Sequence, residues 1–250
     1  MGKTINEKID ELIEELRQSD VKGCVTGSCL TGRDFSAWSS VPDVDLFAYS
    51  SQEMLHAIMY AQYRLGFELG ADDTELSAAQ ERQKMEWMMQ GKRNKGANFR
   101  NLQTVKLHRD GLTLNISHKD SQSNMADVIC AFDMSIIMKA IDLPSGAMLD
   151  LTTQWSDSDT AVPNPMRSVD LDVVTVAYWV RQFDRVVKYW QRQFDTRPMA
   201  RFYIEQIDAV MAKGKLWSSE KADAFYDEYF AEFAETREKI QKWLNEVGDC

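Results

Sequence analysis

The stretch Val25-Thr-Gly-Ser-Cys-Leu-Thr-Gly-Arg-Asp-Phe-Ser-Ala-Trp-Ser-Ser-Val-Pro-Asp-Val-Asp-Leu-Phe-Ala-Tyr49 decides how the chain is read. An apolar residue runs into Gly27-Ser28, a polar loop follows, and the chain returns with Val44, Leu46 and Phe47 interleaved with Asp43 and Asp45. That alternation is the period of a β-strand, where residues two apart share a face, so the two carboxylates stand side by side. Adjacent anions repel each other, and a cation between them relieves the repulsion. A β-hairpin with an acidic edge strand accounts for the same alternation without any site.

Gly27-Ser28, a loop, and Asp43-Val44-Asp45-Leu46-Phe47 together resemble the signature of the DNA polymerase beta-like nucleotidyltransferase superfamily. The resemblance implies an α/β fold, an α+β core built on a mixed sheet. It implies a Gly-Ser turn that opens a helix and holds nucleotide phosphates, and two Asp residues that bind two Mg²⁺ ions. The physical chemistry agrees: backbone N–H groups at such a turn can approach a polyphosphate, and hard divalent cations prefer carboxylate and phosphate oxygens. The implied reaction moves a nucleoside monophosphate from a nucleoside triphosphate to a hydroxyl on a small molecule, a protein or an RNA end. In two-metal sites the ions lie about 3.5–4 Å apart, activating the attacking oxygen and neutralising the leaving group.

The superfamily usually adds a third carboxylate, and two residues compete for that place. The strand Leu112-Thr-Leu-Asn-Ile116 puts Asn115 at the inward position, a neutral ligand and a poor replacement for an acid. Asp133, in Ala131-Phe-Asp-Met-Ser135, is the other candidate. The Phe-Asp-x-Ser segment and Arg185-Val-Val-Lys-Tyr-Trp-Gln-Arg-Gln-Phe194 are similar to small stand-alone nucleotidyltransferase-like proteins of phages and large DNA viruses, which favours Asp133. With Asn115 in the third place, the chain would instead be a catalytically impaired relative that binds nucleotide, RNA or a protein partner.

Working outward, Ile5, Ile9, Leu12, Ile13 and Leu16 give an amphipathic opening helix. Gln52 to Leu69 reads as a second, burying Leu55, Ile58, Met59, Gln62 and Leu65, and Asp72 to Gln90 as a third. Gly91 to Lys106 carries five basic residues and no acidic one, a candidate anion-binding element in an acidic chain. Arg109-Asp110-Gly111 joins two alternating runs as a hairpin. Met125 to Asp142 fits either a buried helix or a helix plus strand, and Ala147 to Thr152 a further strand. A Ser-, Asp- and Pro-rich piece then divides residues 1–152, the core, from a helical domain at 169–250, with 153–168 as linker or surface loop.

In that domain Val169 to Phe194 reads as one helix with Val173, Val176, Val180, Val187, Trp190 and Phe194 buried. Arg181, Arg185, Lys188 and Arg192 step along its neighbouring face and are candidate ligands for a triphosphate. Met199 to Met211 and Ser219 to Val247 add two further helices.

The 250 residues carry a net charge of −10, which opposes an extended duplex-binding face. Cys24, Cys29, Cys130 and Cys250 form no Cys-x-x-Cys pair, and the three histidines show no zinc-like spacing. Reduced thiols, a charged N-terminus unlike a signal peptide and no long apolar run lead to the expectation of a cytoplasmic protein with no membrane partner.

Overall fold

The computed structural model describes residues 2–32, 34–38, 42–69, 103–119, 121–167, 176–213 and 220–248. The helix expected at Asp72 to Gln90 and the basic run from Gly91 to Leu102 lie outside the described residues. The chain divides into two compact units, Met1–Phe132 with Ile137–Thr152, and Asp133–Ile136 with Thr153–Cys250.

The first unit is a mixed α/β structure. Its elements are α1 (Ile5–Arg17), β1 (Gly23–Thr26), β2 (Val44–Ala48), α2 (Ser51–Tyr63), β3 (Glu68–Leu69), β4 (Gln103–Arg109), β5 (Leu112–His118), α3 (Met125–Cys130), β6 (Lys139–Asp142) and β7 (Met148–Asp150). The strands form one seven-stranded sheet in the order β3-β4-β5-β2-β1-β6-β7. Among the described strands only β2 and β5 pair in parallel, which requires a crossover connection between them.

Helix α1 starts at a capping box in which Thr4 and Glu7 exchange side-chain and backbone hydrogen bonds, satisfying two otherwise orphaned donors. Its buried Ile9, Leu12, Ile13 and Leu16 pack with Met54, Ala57 and Ala61 of α2 against one face of the sheet. That face supplies Val25, Val44, Leu46, Ala48, Leu107, Leu112, Leu114 and Ile116, so alternation along each strand leaves the intervening residues on the opposite face.

The β4–β5 hairpin turns on Asp110 (φ 51°) and Gly111 (φ 80°), with Arg109 paired to Leu112. Two consecutive left-handed residues in a two-residue loop are the type I′ geometry that the Asp-Gly pair favours. Met125 to Asp142 resolves into α3, a single 3₁₀ turn at Ser135–Ile137 and β6.

Helix α2 departs from expectation. It ends at Tyr63, and the face turned to the sheet is Met54, Ala57 and Ala61, while Leu55 and Met59 are exposed. The two alanines let the helix lie close to the strands, a fit that the bulkier Leu-Met side would not allow.

Among its described residues the second unit contains three α-helices, α4 (Val176–Gln191), α5 (Arg197–Lys213) and α6 (Glu220–Val247). The buried side of α4 is Trp179, Gln182, Val186 and Tyr189, one position away from the valine stripe read from the sequence, and Val180 is exposed. Trp179 meets Tyr203 of α5 edge-on at 5.6 Å, and Trp243 of α6 meets Phe183 and Trp190 at 5.9 and 5.6 Å. These aromatic contacts decide the helix rotation, because each ring buries more apolar area than a valine.

Helix α4 also stops earlier than expected. Phe194 N–H donates to the Tyr189 carbonyl and Gln193 N–H to that of Trp190, with Gln193 at φ 66°. That is a Schellman ending, with glutamine at the left-handed position usually held by glycine. Arg192 is the residue just before that turn. It is buried, its guanidinium 5.7 Å from the Tyr189 ring.

Candidate paired-carboxylate site

Strand β2 lies near the middle of the sheet, between β1 and β5, and carries Asp45 outward from the core face. Asp43 immediately precedes it. Both are half-buried, whereas Val44 and Leu46 are fully buried.

The register places Asn115 of β5 directly beside Asp45. Its Nδ2 donates to Asp43 Oδ2 at 3.1 Å and to Asp45 Oδ1 at 2.9 Å. One neutral amide thus bridges both acids, and its own Oδ1 is a buried oxygen without a hydrogen-bond partner. An amide quiets the repulsion between two carboxylates through its N–H dipoles and brings no charge of its own.

On the other side of β2, Thr26 of β1 pairs with Asp45, and Gly27 follows at φ 91°. A Cβ at Gly27 would lie 2.5 Å from Asp45 Oδ2. Glycine is therefore required twice at this point, by the backbone conformation and by the carboxylate packed against it. The Gly-Ser pair opens a single 3₁₀ turn, Ser28–Leu30, rather than the expected helix. Cys29 in that turn donates to the Thr26 carbonyl, and burial, followed by the nearby Asp45 charge, pushes its thiol pKa up.

The donor set suits a hard divalent cation. Two carboxylates are already drawn onto one shared hydrogen-bond donor, and both are oxygen ligands of the kind that Mg²⁺ takes. Among the described residues no three His, Cys, Asp or Glu side chains come together in an arrangement that could hold a metal ion.

Asp133 has a different setting, within the second unit. Its Oδ2 accepts from Arg185 Nη1 at 2.9 Å and from the Tyr203 hydroxyl at 3.3 Å. Asp133 is buried, and Arg185 half-buried. Two residues that the sequence offered for separate tasks, metal ligation and triphosphate binding, are here joined to each other. Arg181 and Lys188 are exposed on α4.

Sequence reasoning did not anticipate the bridging role of Asn115. The legible signal was its polar character at an inward strand position, but only the parallel register shows that both acids share its amide.

Fold and site together define a mixed α/β protein with paired carboxylates on a central strand, followed by C-terminal helices. No protein-family profile matches the sequence, and no curated protein matches it. Among solved structures the chain is similar to a "tRNA-processing enzyme (apo form I)", at a TM-score of 0.48 and 12% identity over 94% of this chain and 57% of that one. The chain therefore spans little more than half the length of that protein. No helix among the described residues is long and apolar enough to cross a membrane.

Proposed function

We propose that this protein is a Mg²⁺-dependent nucleotidyltransferase that moves a nucleoside monophosphate from a nucleoside triphosphate to a hydroxyl acceptor. The observation that carries the proposal is the Asp43–Asp45 pair, bridged by a neutral amide and set against the Gly27 turn. Two carboxylates converging on one neutral amide beside a glycine turn form a site suited to an incoming metal–triphosphate.

Asp43 and Asp45 would hold the metal. Bound there, Mg²⁺ supplies charge neutralisation of the phosphates and acidification of the attacking hydroxyl. The chain's own residues fix the geometry. Strand pairing on both sides of β2 holds Asp45 in place, Gly27 leaves room for its Oδ2, and Asn115 keeps both acids convergent before anything binds. Such preorganisation lowers the cost of assembling the site when substrate arrives.

A second reading, a nucleotide-binding module without transfer, draws support from Asn115. An amide lacks the charge with which a third acid would help to activate the acceptor hydroxyl.

Titration and crystallography with nonhydrolysable nucleoside triphosphates and Mn²⁺ separate the two. Two metal ions bound with nucleotide at Asp43 and Asp45 support transfer, and nucleotide bound without metal supports the binding module. Neither ion nor nucleotide at these residues would sink both readings.

A further inference from the structure

Strand pairing aligns a row of residues across the site. Thr26 is opposite Asp45, Asp45 is beside Asn115, and Asn115 is opposite Lys106 of β4. Directly opposed residues of an antiparallel pair point to the same face, with Cβ atoms about 4.5–5.5 Å apart. Asn115 touches both acids, so Lys106 stands on the acid-bearing face, one strand beyond Asn115 and two beyond Asp45.

The alternation of β4 gives the same answer independently. Leu107 is fully buried in the core, which turns Lys106 and His108 outward, and Lys106 is exposed. On this face β4 and β5 present Thr104, Lys106, His108, Thr113, Asn115 and Ser117, with Thr104 bonded to Ser117 at 2.9 Å and Thr113 to His108 at 3.2 Å. The opposite face of the same strands carries Val105, Leu107, Leu112, Leu114 and Ile116, with Arg109 and His118 at its ends. Among the described strand residues of the acid-bearing face, Lys106 is the one lysine or arginine.

We infer that Lys106 is a phosphate-binding residue for the nucleoside triphosphate held at Asp43 and Asp45, which rests on the function proposed above. Two strand spacings, about 10 Å, separate its row position from that of Asp45. From that row position a long, flexible lysine side chain can extend toward a phosphate held at the carboxylates. Asn115, the residue between, is neutral and adds no charge of its own to repel the phosphate. A flexible lysine suits this position because it offers a point charge that can follow a phosphate chain.

The test is calorimetric titration of the full chain with each of the four α,β-methylene nucleoside triphosphates in Mg²⁺, for wild type, Lys106→Gln and Lys106→Arg. A short 5′-phosphorylated single-stranded RNA serves as a second probe. Lys106→Gln should raise the triphosphate Kd about tenfold, the size of one charge-assisted contact. Lys106→Arg should restore most of the affinity, and the melting temperature should be the same for all three because the side chain is exposed. Equal triphosphate Kd values for wild type and Lys106→Gln overturn the inference while leaving the nucleotide reading intact. So does a loss confined to the RNA probe, which would assign Lys106 to a phosphate of the acceptor. Absence of triphosphate binding by the wild type overturns both this inference and the nucleotide reading.

Discussion

Two acidic centres in this molecule are built in opposite ways. Asp43 and Asp45 share a neutral amide from Asn115, whereas Asp133 is held by the guanidinium of Arg185 and the hydroxyl of Tyr203. At the first centre the hydrogen bonds orient two charges without cancelling either. At the second, one opposite charge already answers one acid. The bridge at the first centre brings no charge to its acids, whereas the second holds a buried acid through an ion pair while its Oδ1 stays without a hydrogen bond. Asp133 is thus joined to Arg185, a pairing that the sequence alone did not indicate.

The largest expected effect comes from removing an acid of the first centre. Asp45→Ala should reduce nucleotidyl transfer by about 10³-fold or more, corresponding to the several kcal/mol that a metal site contributes to a transition state. The metal-free protein should remain folded with a cooperative melt, since crowding between the carboxylates is relieved. Full turnover of this variant in saturating Mg²⁺ would erase the distinction between the two centres.

Next in size is Arg185→Met. It would leave the carboxylate of Asp133, 5% exposed, without its cation, and should destabilise the fold by about 3 kcal/mol. Chemical denaturation measures this directly. Asp133→Ala should cost less, about 2 kcal/mol, because Arg185 is 31% exposed and retains access to water. The reverse order would mean that the guanidinium, rather than the acid, is the group that depends on the pair.

Asn115→Asp converts the bridge into a third acid. Without metal it should lower stability by about 1 kcal/mol, through added repulsion between like charges at a partly exposed site. Mg²⁺ should then raise the melting temperature of the variant more than that of the wild type. An equal response of the two proteins to Mg²⁺ would show that the ion does not sense residue 115, and would remove the argument for metal at this point.

The smallest effect concerns Asp142, a third kind of acid, satisfied mainly by neutral donors. Burial opposes its charge, but the Ser145 side chain, the Tyr49 hydroxyl at 2.8 Å and the Ser145 backbone N–H outweigh it and hold the carboxyl below its usual pKa. A depressed carboxylate pKa contributes stability that is complete above the unfolded value, about 3.9, and is lost as pH falls through the folded one. Ser145→Ala should therefore cost under about 1 kcal/mol at pH 7. The two proteins should converge in stability as the carboxyl becomes protonated in acid. A difference that persists unchanged at pH 2 would mean that the serine acts through packing instead.

Much of the strand architecture was legible in the sequence. The alternation around Asp43 and Asp45 requires that they share a face, and the Asp110-Gly111 pair names its own turn, because both follow from local backbone geometry. The amphipathic first helix and the two C-terminal helices were readable for the same reason. Helix rotation was not. Both α2 and α4 carry more than one plausible apolar stripe, and the choice went to the alanines that permit close approach in one and to the aromatic rings that fill more space in the other. Nor was the end of α4 legible, since glutamine at position 193 gives no sign that the backbone will turn left-handed there.

The candidate site divides along the same line. Side-by-side acids and a glycine before a turn are properties of a short segment, and the sequence by itself determined them. That Asn115 reaches both acids, that Gly27 lies against Asp45 and that Lys106 joins the same row depend on which strand lies beside which, and in what register. The capture of Asp133 by Arg185 joins residues 52 positions apart. Only the tertiary structure decided these contacts, because pairing between distant segments is selected by burial of the whole apolar face rather than by the residues that meet at the site.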